Sequence, residues 1–216
     1  LSPERLAGSA SLFLLALLSL YLSFTLLRQA RYSPSSGWWG SGMFAAFISL
    51  LEEGLIYSGM ENEVLLQSYL FLSALLVALL SIGSVVLARS SWIRGAWLAY
   101  MTIGSIALAF FSFTQYVPQS IVMGGAVTGE PPLLIVIFSS IITVPGAIAI
   151  VWLALLSAMR ERKGAPLLVA AGAIVISAAG ALFVFRQLPV TLYYSEFAGL
   201  LLIFFGVRYG RHHDID

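Results

Sequence analysis

Glu52, Glu53, Arg186 and Glu196 have the most chemistry to offer, because each falls inside or at the edge of a long apolar run. An ionisable group in such a place is costly in lipid, faces protein or water, and marks a site for ions, protons or polar solutes. Glu52 and Glu53 lie 13 and 14 residues beyond Trp39, about 20 Å along a helix. Glu196 lies 12 residues before Arg208, about 18 Å on the same measure. Arg186 closes the preceding apolar run, and Tyr57, Gln67, Tyr69, Gln115, Tyr193 and Tyr194 fall at similar heights. The expectation is an outward-facing polar pocket lined by the second, third, sixth and seventh apolar runs. Its ligand- or proton-binding candidates are Glu196, Glu53, Glu52, Arg186, Tyr194, Tyr69 and Gln67. Arg186 is a candidate partner for Glu196 or for one of the paired carboxylates. Neighbouring helical residues point about 100° apart, so Glu52 and Glu53 address different neighbours. The same groups also fit a structural role, as an Arg–Glu pair fixing helix register or as side chains reaching back to the interface.

Pro145-Gly146 stands midway along the fifth apolar run. Proline removes one backbone hydrogen bond, and a neighbouring helix can satisfy the freed carbonyl. The pair is therefore a hinge candidate, or else a static kink. Gly172, Gly180 and the alanines around them form a small-residue face suited to close helix packing. No catalytic residues are expected: there is no GxSxG, HExxH or P-loop pattern, and no cysteine. His212 and His213 lie beside Asp214 and Asp216 in the inner tail, a set that could bind a metal, but two adjacent histidines in a frayed terminus more often bind nothing specific, so no metal site is expected. No cofactor is expected. The apolar runs hold no histidine for haem, and the single lysine, Lys163, is in a loop, which excludes a retinal Schiff base.

The elements that must position these groups follow from composition. Of 216 residues, 60% are hydrophobic and 10% charged, against about 25% charged in ordinary globular domains. Such a chain cannot clothe a water-facing surface, so a soluble enzyme and a nucleic-acid reader are excluded. The reading is an all-α polytopic membrane protein whose first partner is the lipid bilayer. A helix needs about 20 apolar residues to cross a core of about 30 Å. Seven stretches qualify: Leu6–Leu27, Trp39–Met60, Val64–Ala88, Ile93–Tyr116, Leu133–Met159, Ala165–Phe185 and Val190–Val207. The first is longer than a secretory h-region and has no clear cleavage site, so a retained helix is expected. The chain begins at Leu1 rather than Met, and a few preceding residues are expected. The break after the second stretch is carried by Ser58-Gly59-Met60-Glu61-Asn62-Glu63, improbable inside lipid.

Orientation follows from the distribution of basic residues. Arg28, Arg31, Arg89, Arg94, Arg160, Arg162, Lys163, Arg208 and Arg211 share one side, nine of the eleven. Only Arg5 and Arg186 fall on the other, with Glu61, Glu63 and Glu130. The expectation is a seven-helix bundle in a prokaryotic plasma membrane, N-terminus outside and C-terminus inside. The longest loop, Tyr116–Pro132, is read as an outer connector, with a re-entrant dip or a cap over a cavity as the alternatives. Scarce Asn and Cys fit a thermophile, although lysine enrichment is absent and a GC-rich genome also favours Arg.

Stretches one to three and five to seven have matching sidedness, and Ser68-Tyr69-Leu70-Phe71 sits opposite Tyr194-Ser195-Glu196-Phe197. This would make a parallel 3+1+3 repeat of the kind seen in sugar-efflux transporters. Pro118-Gln119 lies in the outer loop, not in a first helix, so the PQ-loop family is not assigned. The text from Tyr69 to Gly83 and from Tyr194 to Gly206 resembles a pattern recurring in uncharacterised seven-span prokaryotic integral membrane proteins. That resemblance implies the seven-span fold and no known activity. The expected function is non-enzymatic: binding or translocating a small solute, proton or cation through the outer pocket. The alternatives are an accessory subunit beside other membrane subunits of a larger complex, or a ligand sensor with a separate inner partner.

Overall fold

Backbone N–H and C=O groups in a lipid core have no water to bond, so a spanning chain must satisfy them within helices. The computed structural model describes residues 3–87, 90–123, 126–127, 129–161, 164, 167–175 and 198–206. Among these residues it is all-α apart from one pair of two-residue strands. Its long helices are α1 (Pro3–Gln29), α2 (Pro34–Tyr57), α3 (Glu63–Val85), α4 (Ser91–Thr114) and α5 (Leu133–Glu161). Shorter helical stretches cover 167–175 and 198–206. The chain divides into two units, Leu1–Gly146 and Ala147–Asp216.

Four helices among the described residues are long and apolar enough to cross a membrane: Gly8–Gln29, Glu63–Val85, Ser91–Thr114 and Leu133–Met159. The sequence leads one to expect seven crossings. Of the other three, α2 has the length, at 24 residues, but its glycines, serines and the Glu52-Glu53 pair lower its apolarity. Of the sixth and seventh expected stretches only 167–175 and 198–206 are among the described residues. α2 is instead the most enclosed helix of the first unit. Twelve of its 24 residues are buried, against three of 24 in α4.

The helix ends have local causes. Ser33 is extended and Pro34 follows at the first turn, where a fixed φ and a missing N–H cost nothing. This starts α2 five residues before the apolar run suggests. α2 stops at Gly59, whose φ of +95° is left-handed. There the Gly59 N–H donates to Ile56 O at 2.9 Å and the Met60 N–H to Leu55 O at 3.0 Å. This paired closure satisfies two of the orphan carbonyls of the last turn. Asn62, the only asparagine, then caps α3: its Oδ1 accepts from the Leu65 N–H at 2.8 Å.

Successive helices of the first unit run antiparallel, because early residues of one meet late residues of the next. Between α1 and α2, Gly8 abuts Tyr57, Gly54 lies by Phe13 and Gly40 by Leu27. Between α2 and α3, Gly42 faces Leu80, and Trp39 lies on Gly83. Phe111 on α4 stacks on Phe138 of α5 at 4.9 Å. Serine hydroxyls join the pairs. Ser23 donates to Gly40 O at 2.9 Å, Ser35 to Gly83 O at 2.6 Å, and the Trp97 indole N–H to Ser81 Oγ at 3.2 Å. Small residues admit close approach and hydroxyls bond across it, the usual glue where lipid removes the hydrophobic drive.

The outward faces are the inverse of a soluble protein's. Leu14, Leu17, Tyr21 and Phe24 form an exposed stripe on α1, and Ile103, Ile106, Phe110 and Phe113 another on α4. Ser19, Ser23, Ser49, Ser81, Ser84 and Ser112 are buried. Helical spacing makes each stripe one continuous face, and lipid is the solvent that accepts it.

In the second unit, Gly172 is pressed against the 198–206 stretch. A Cβ at Gly172 would lie 2.5 Å from Gly199 O and 3.1 Å from the Ile203 backbone nitrogen. Ala170, Leu200 and Ile203 are buried there. This is the close packing expected of Gly172; Gly180 lies outside the described residues.

Gly83 gives a stability test. An added Cβ would overlap the Trp39 ring and lie 3.1 Å from Ser35 O. Gly83→Ala should destabilise the detergent-solubilised protein by about 1–3 kcal/mol. Gly95→Ala, with nothing within 4 Å, should be neutral or stabilising by up to about 1 kcal/mol. Thermal unfolding followed by tryptophan fluorescence separates the two.

Candidate functional site

Glu52 and Glu53 sit five and four residues before the end of α2, about one helical turn in. They diverge as adjacent helical residues must. Glu53 follows the line of Gly42, Ala46 and Ser49, all buried, and is itself 4% exposed. Glu52, about 100° round the helix, is half-buried. Its carboxylate accepts a hydrogen bond from the Ser68 hydroxyl on α3. Its Oε2 is enclosed and has no hydrogen-bond partner among the described residues.

Ser68 carries no charge to mark it in the sequence, but a signal for it exists. In an antiparallel helix pair closed by a short turn, partners stand equally far from the turn's centre. With Met60 at the centre, the residue opposite Glu52 is Ser68. Tyr69, next along, is half-buried and packs against the apolar cluster around Ile56 and Leu66.

Gln67 is buried, and its amide works as a clamp. Nε2 donates to Gln115 O at 3.0 Å and to Glu63 Oε1 at 3.3 Å. Gln115 caps α4, so Gln67 ties the start of α3 to the start of the long loop. That loop is more than a connector. Gln119–Ile121 make a 3-10 turn, and Val122–Met123 pair antiparallel with Ala126–Val127. Val117 and Ile121 are fully buried in one cluster with Ile56, Leu66 and Ile135, against which Val122 and Val127 also pack. The Gly129 N–H donates to Ile121 O at 2.8 Å, and Gln119 Nε2 donates to Glu61 O at 3.2 Å. Val117 and Ile121 are apolar residues in a polar, Pro-containing stretch, and that contrast was the available sign of docking.

Ile56 lies one turn beyond Glu52 on the same face of α2, and Leu65 one turn before Ser68 on α3. The Ile56–Leu66 end of the apolar cluster therefore stands between the Glu52–Ser68 pair and the 58–62 end of the unit.

Pro145 and Gly146 are brought into a close contact. α5 continues through the proline as one helix. The carbonyl that loses its helical donor is Ile141 O, four residues back. The Tyr100 hydroxyl on α4 donates to it at 2.6 Å. Gly146 lets α5 approach α3, since a Cβ there would lie 2.9 Å from Val77 Cγ1. Gly104 on α4 similarly faces Ile142. Tyr100 was not anticipated from sequence, where only the need for a donor was visible.

Arg186, Tyr194 and Glu196 lie outside the described residues, as do His212 and His213. Among the described residues no three His, Cys, Asp or Glu side chains group as metal ligands. Comparison with protein-family models, with curated proteins and with solved structures finds no match for this chain.

The tyrosine–carbonyl bond makes a double-mutant prediction. Tyr100→Phe should cost about 0.6–1.7 kcal/mol, the range for interhelical hydrogen bonds in a bilayer. Pro145→Ala restores the helix's own donor to Ile141 O, so Tyr100→Phe should then cost close to nothing. Unfolding in mixed micelles measures the cycle; equal costs in both backgrounds contradict the assignment.

Proposed function

We propose that this chain is a small multi-pass protein of the cell membrane that binds and carries a proton or small cation at Glu52. The observation that carries the reading is the enclosed Oε2 of Glu52, a carboxylate oxygen with no donor among the described residues. A neutral hydroxyl left in that state loses one hydrogen bond, but a carboxylate also carries charge that low-dielectric surroundings penalise. A proton or a cation at Oε2 removes the penalty, and the Ser68 hydroxyl is already placed on the same carboxylate. Glu53, one residue on and buried, makes this part of α2 acidic over two faces.

The arrangement in the membrane is the seven-span plan, N-terminus outside and C-terminus inside. It is supported by the antiparallel order of α1 to α5 and by the basic residues shared by alternate loops. Glu52 then lies in the outer half, reached from the 58–62 end. The sequence has no GxSxG, HExxH or P-loop pattern, and the role proposed is not enzymatic.

Reconstitution into liposomes tests it, with a pH step in one arm and a sodium or potassium gradient in the other. Glu52→Gln should lower flux in the responsive arm by about tenfold or more, since every ~1.4 kcal/mol of lost binding is tenfold in affinity. Ser68→Ala should lower it less. Flux equal to that of the unaltered protein in both arms for Glu52→Gln overturns the assignment.

A further inference from the structure

The Glu52–Ser68 pair has a closed end, where Ile56 of α2 and Leu66 of α3 are joined by apolar residues that belong to neither helix. Val117 is 0% and Ile121 2% exposed, deeper than most residues of α4, although both sit in the loop that follows it. They complete the apolar cluster over Ile56 and Leu66. On either side, two side-chain amides fasten the segment. Gln67 Nε2 holds Gln115 O at 3.0 Å, and Gln119 Nε2 holds Glu61 O at 3.2 Å. The closed state is also imperfect. Gln115 Oε1 is buried with no hydrogen-bond partner among the described residues, a strain that opening to water would relieve.

We propose that the segment from Gln115 to Val122 is a strap that seals the 58–62 end over the Glu52–Ser68 pair and must lift to admit an ion. The proposal rests on the reading of Glu52 as the ion-binding group, and it adds the gate. Two features suit the strap to open without unfolding the bundle. Its side-chain attachments to the rest of the unit are two amide hydrogen bonds and the apolar Val117, Ile121 and Val122, while the helices beneath are joined by their own hydroxyl–carbonyl contacts. Segments held by few buried contacts open locally, at a free energy below that of global unfolding. An apolar seal also excludes water from the carboxylate while closed, so that access and binding are coupled.

Absence of cysteine makes the test direct. In lipid nanodiscs, Glu52→Cys and, separately, Ser68→Cys report access through their rate of reaction with a charged, water-soluble methanethiosulfonate. Met60→Cys, at an exposed position of the 58–62 turn, sets the unhindered rate. Both reporters should react far more slowly than Met60→Cys. Adding Gln119→Ala, or Val117→Ser, should speed both by about tenfold, equivalent to ~1.4 kcal/mol of lost closure. Gln119 is exposed, so its replacement leaves the core intact, and an unchanged elution profile of each variant confirms the fold. Reporter rates unchanged by either strap variant, or equal to Met60→Cys from the start, overturn the gate. Labelling does not require Glu52 to bind anything. The gate can therefore fail while the flux loss of Glu52→Gln stands, and the converse is equally visible.

Discussion

Every polar group drawn into a lipid-embedded bundle must find its partner inside the protein, and this requirement organises the first unit. Ser23, Ser35 and Tyr100 each spend a hydroxyl on the carbonyl of a neighbouring helix. Trp97 reaches Ser81 in the same way. Where Ser23 and Ser35 bond, the carbonyl belongs to a glycine at the helix crossing, Gly40 or Gly83, where a Cβ would meet Leu27 or Trp39. Close approach and hydrogen bonding are thus one device. Pro145 shows its reach: the carbonyl it orphans is not left bare but taken by Tyr100.

Against that background the exceptions carry information. Among the described residues, the buried side-chain atoms without a partner are Ser9 Oγ, Ser19 Oγ, Ser112 Oγ, Gln115 Oε1 and Glu52 Oε2. Magnitude separates them. An unsatisfied neutral group costs about 1–3 kcal/mol, which helical packing can absorb. An uncompensated carboxylate in the interior costs about 3–5 kcal/mol when its partner is removed. Glu52 is half-buried and so escapes part of that cost, but its enclosed oxygen still favours a bound positive charge. The other four belong to packing and to the strap; Glu52 is the one whose state a solute can change.

Much of this was legible in the sequence, for identifiable reasons. The turn at Ser58–Glu63 was visible because two carboxylates, Gly59 and Asn62 have no place in lipid, and Gly59 and Asn62 indeed end one helix and cap the next. The divergence of Glu52 and Glu53 followed from helical geometry alone. α2 starts five residues before its apolar run, because apolarity begins at Trp39 whereas the backbone is set by Pro34. Serine partners were not legible. A serine in an apolar run can bond its own helix, as Ser84 does to Leu80 O, or a neighbour, as Ser35 does, and only packing decides. The loop from Tyr116 to Pro132 reads as a connector because its composition is that of a turn. Burial of Val117 and Ile121 depends on Ile56 and Leu66 arriving beneath them, which no local pattern encodes.

The central claim is that the Glu52 carboxylate takes up a positive charge in the folded, membrane-embedded protein. Infrared difference spectroscopy reads carboxyl groups individually when one is replaced. Spectra of the reconstituted protein, taken on stepping pH or on adding sodium or potassium, should contain a carboxyl signal that disappears in Glu52→Gln and persists in Glu53→Gln. Difference spectra of Glu52→Gln identical to those of the unaltered protein under every step would contradict the account.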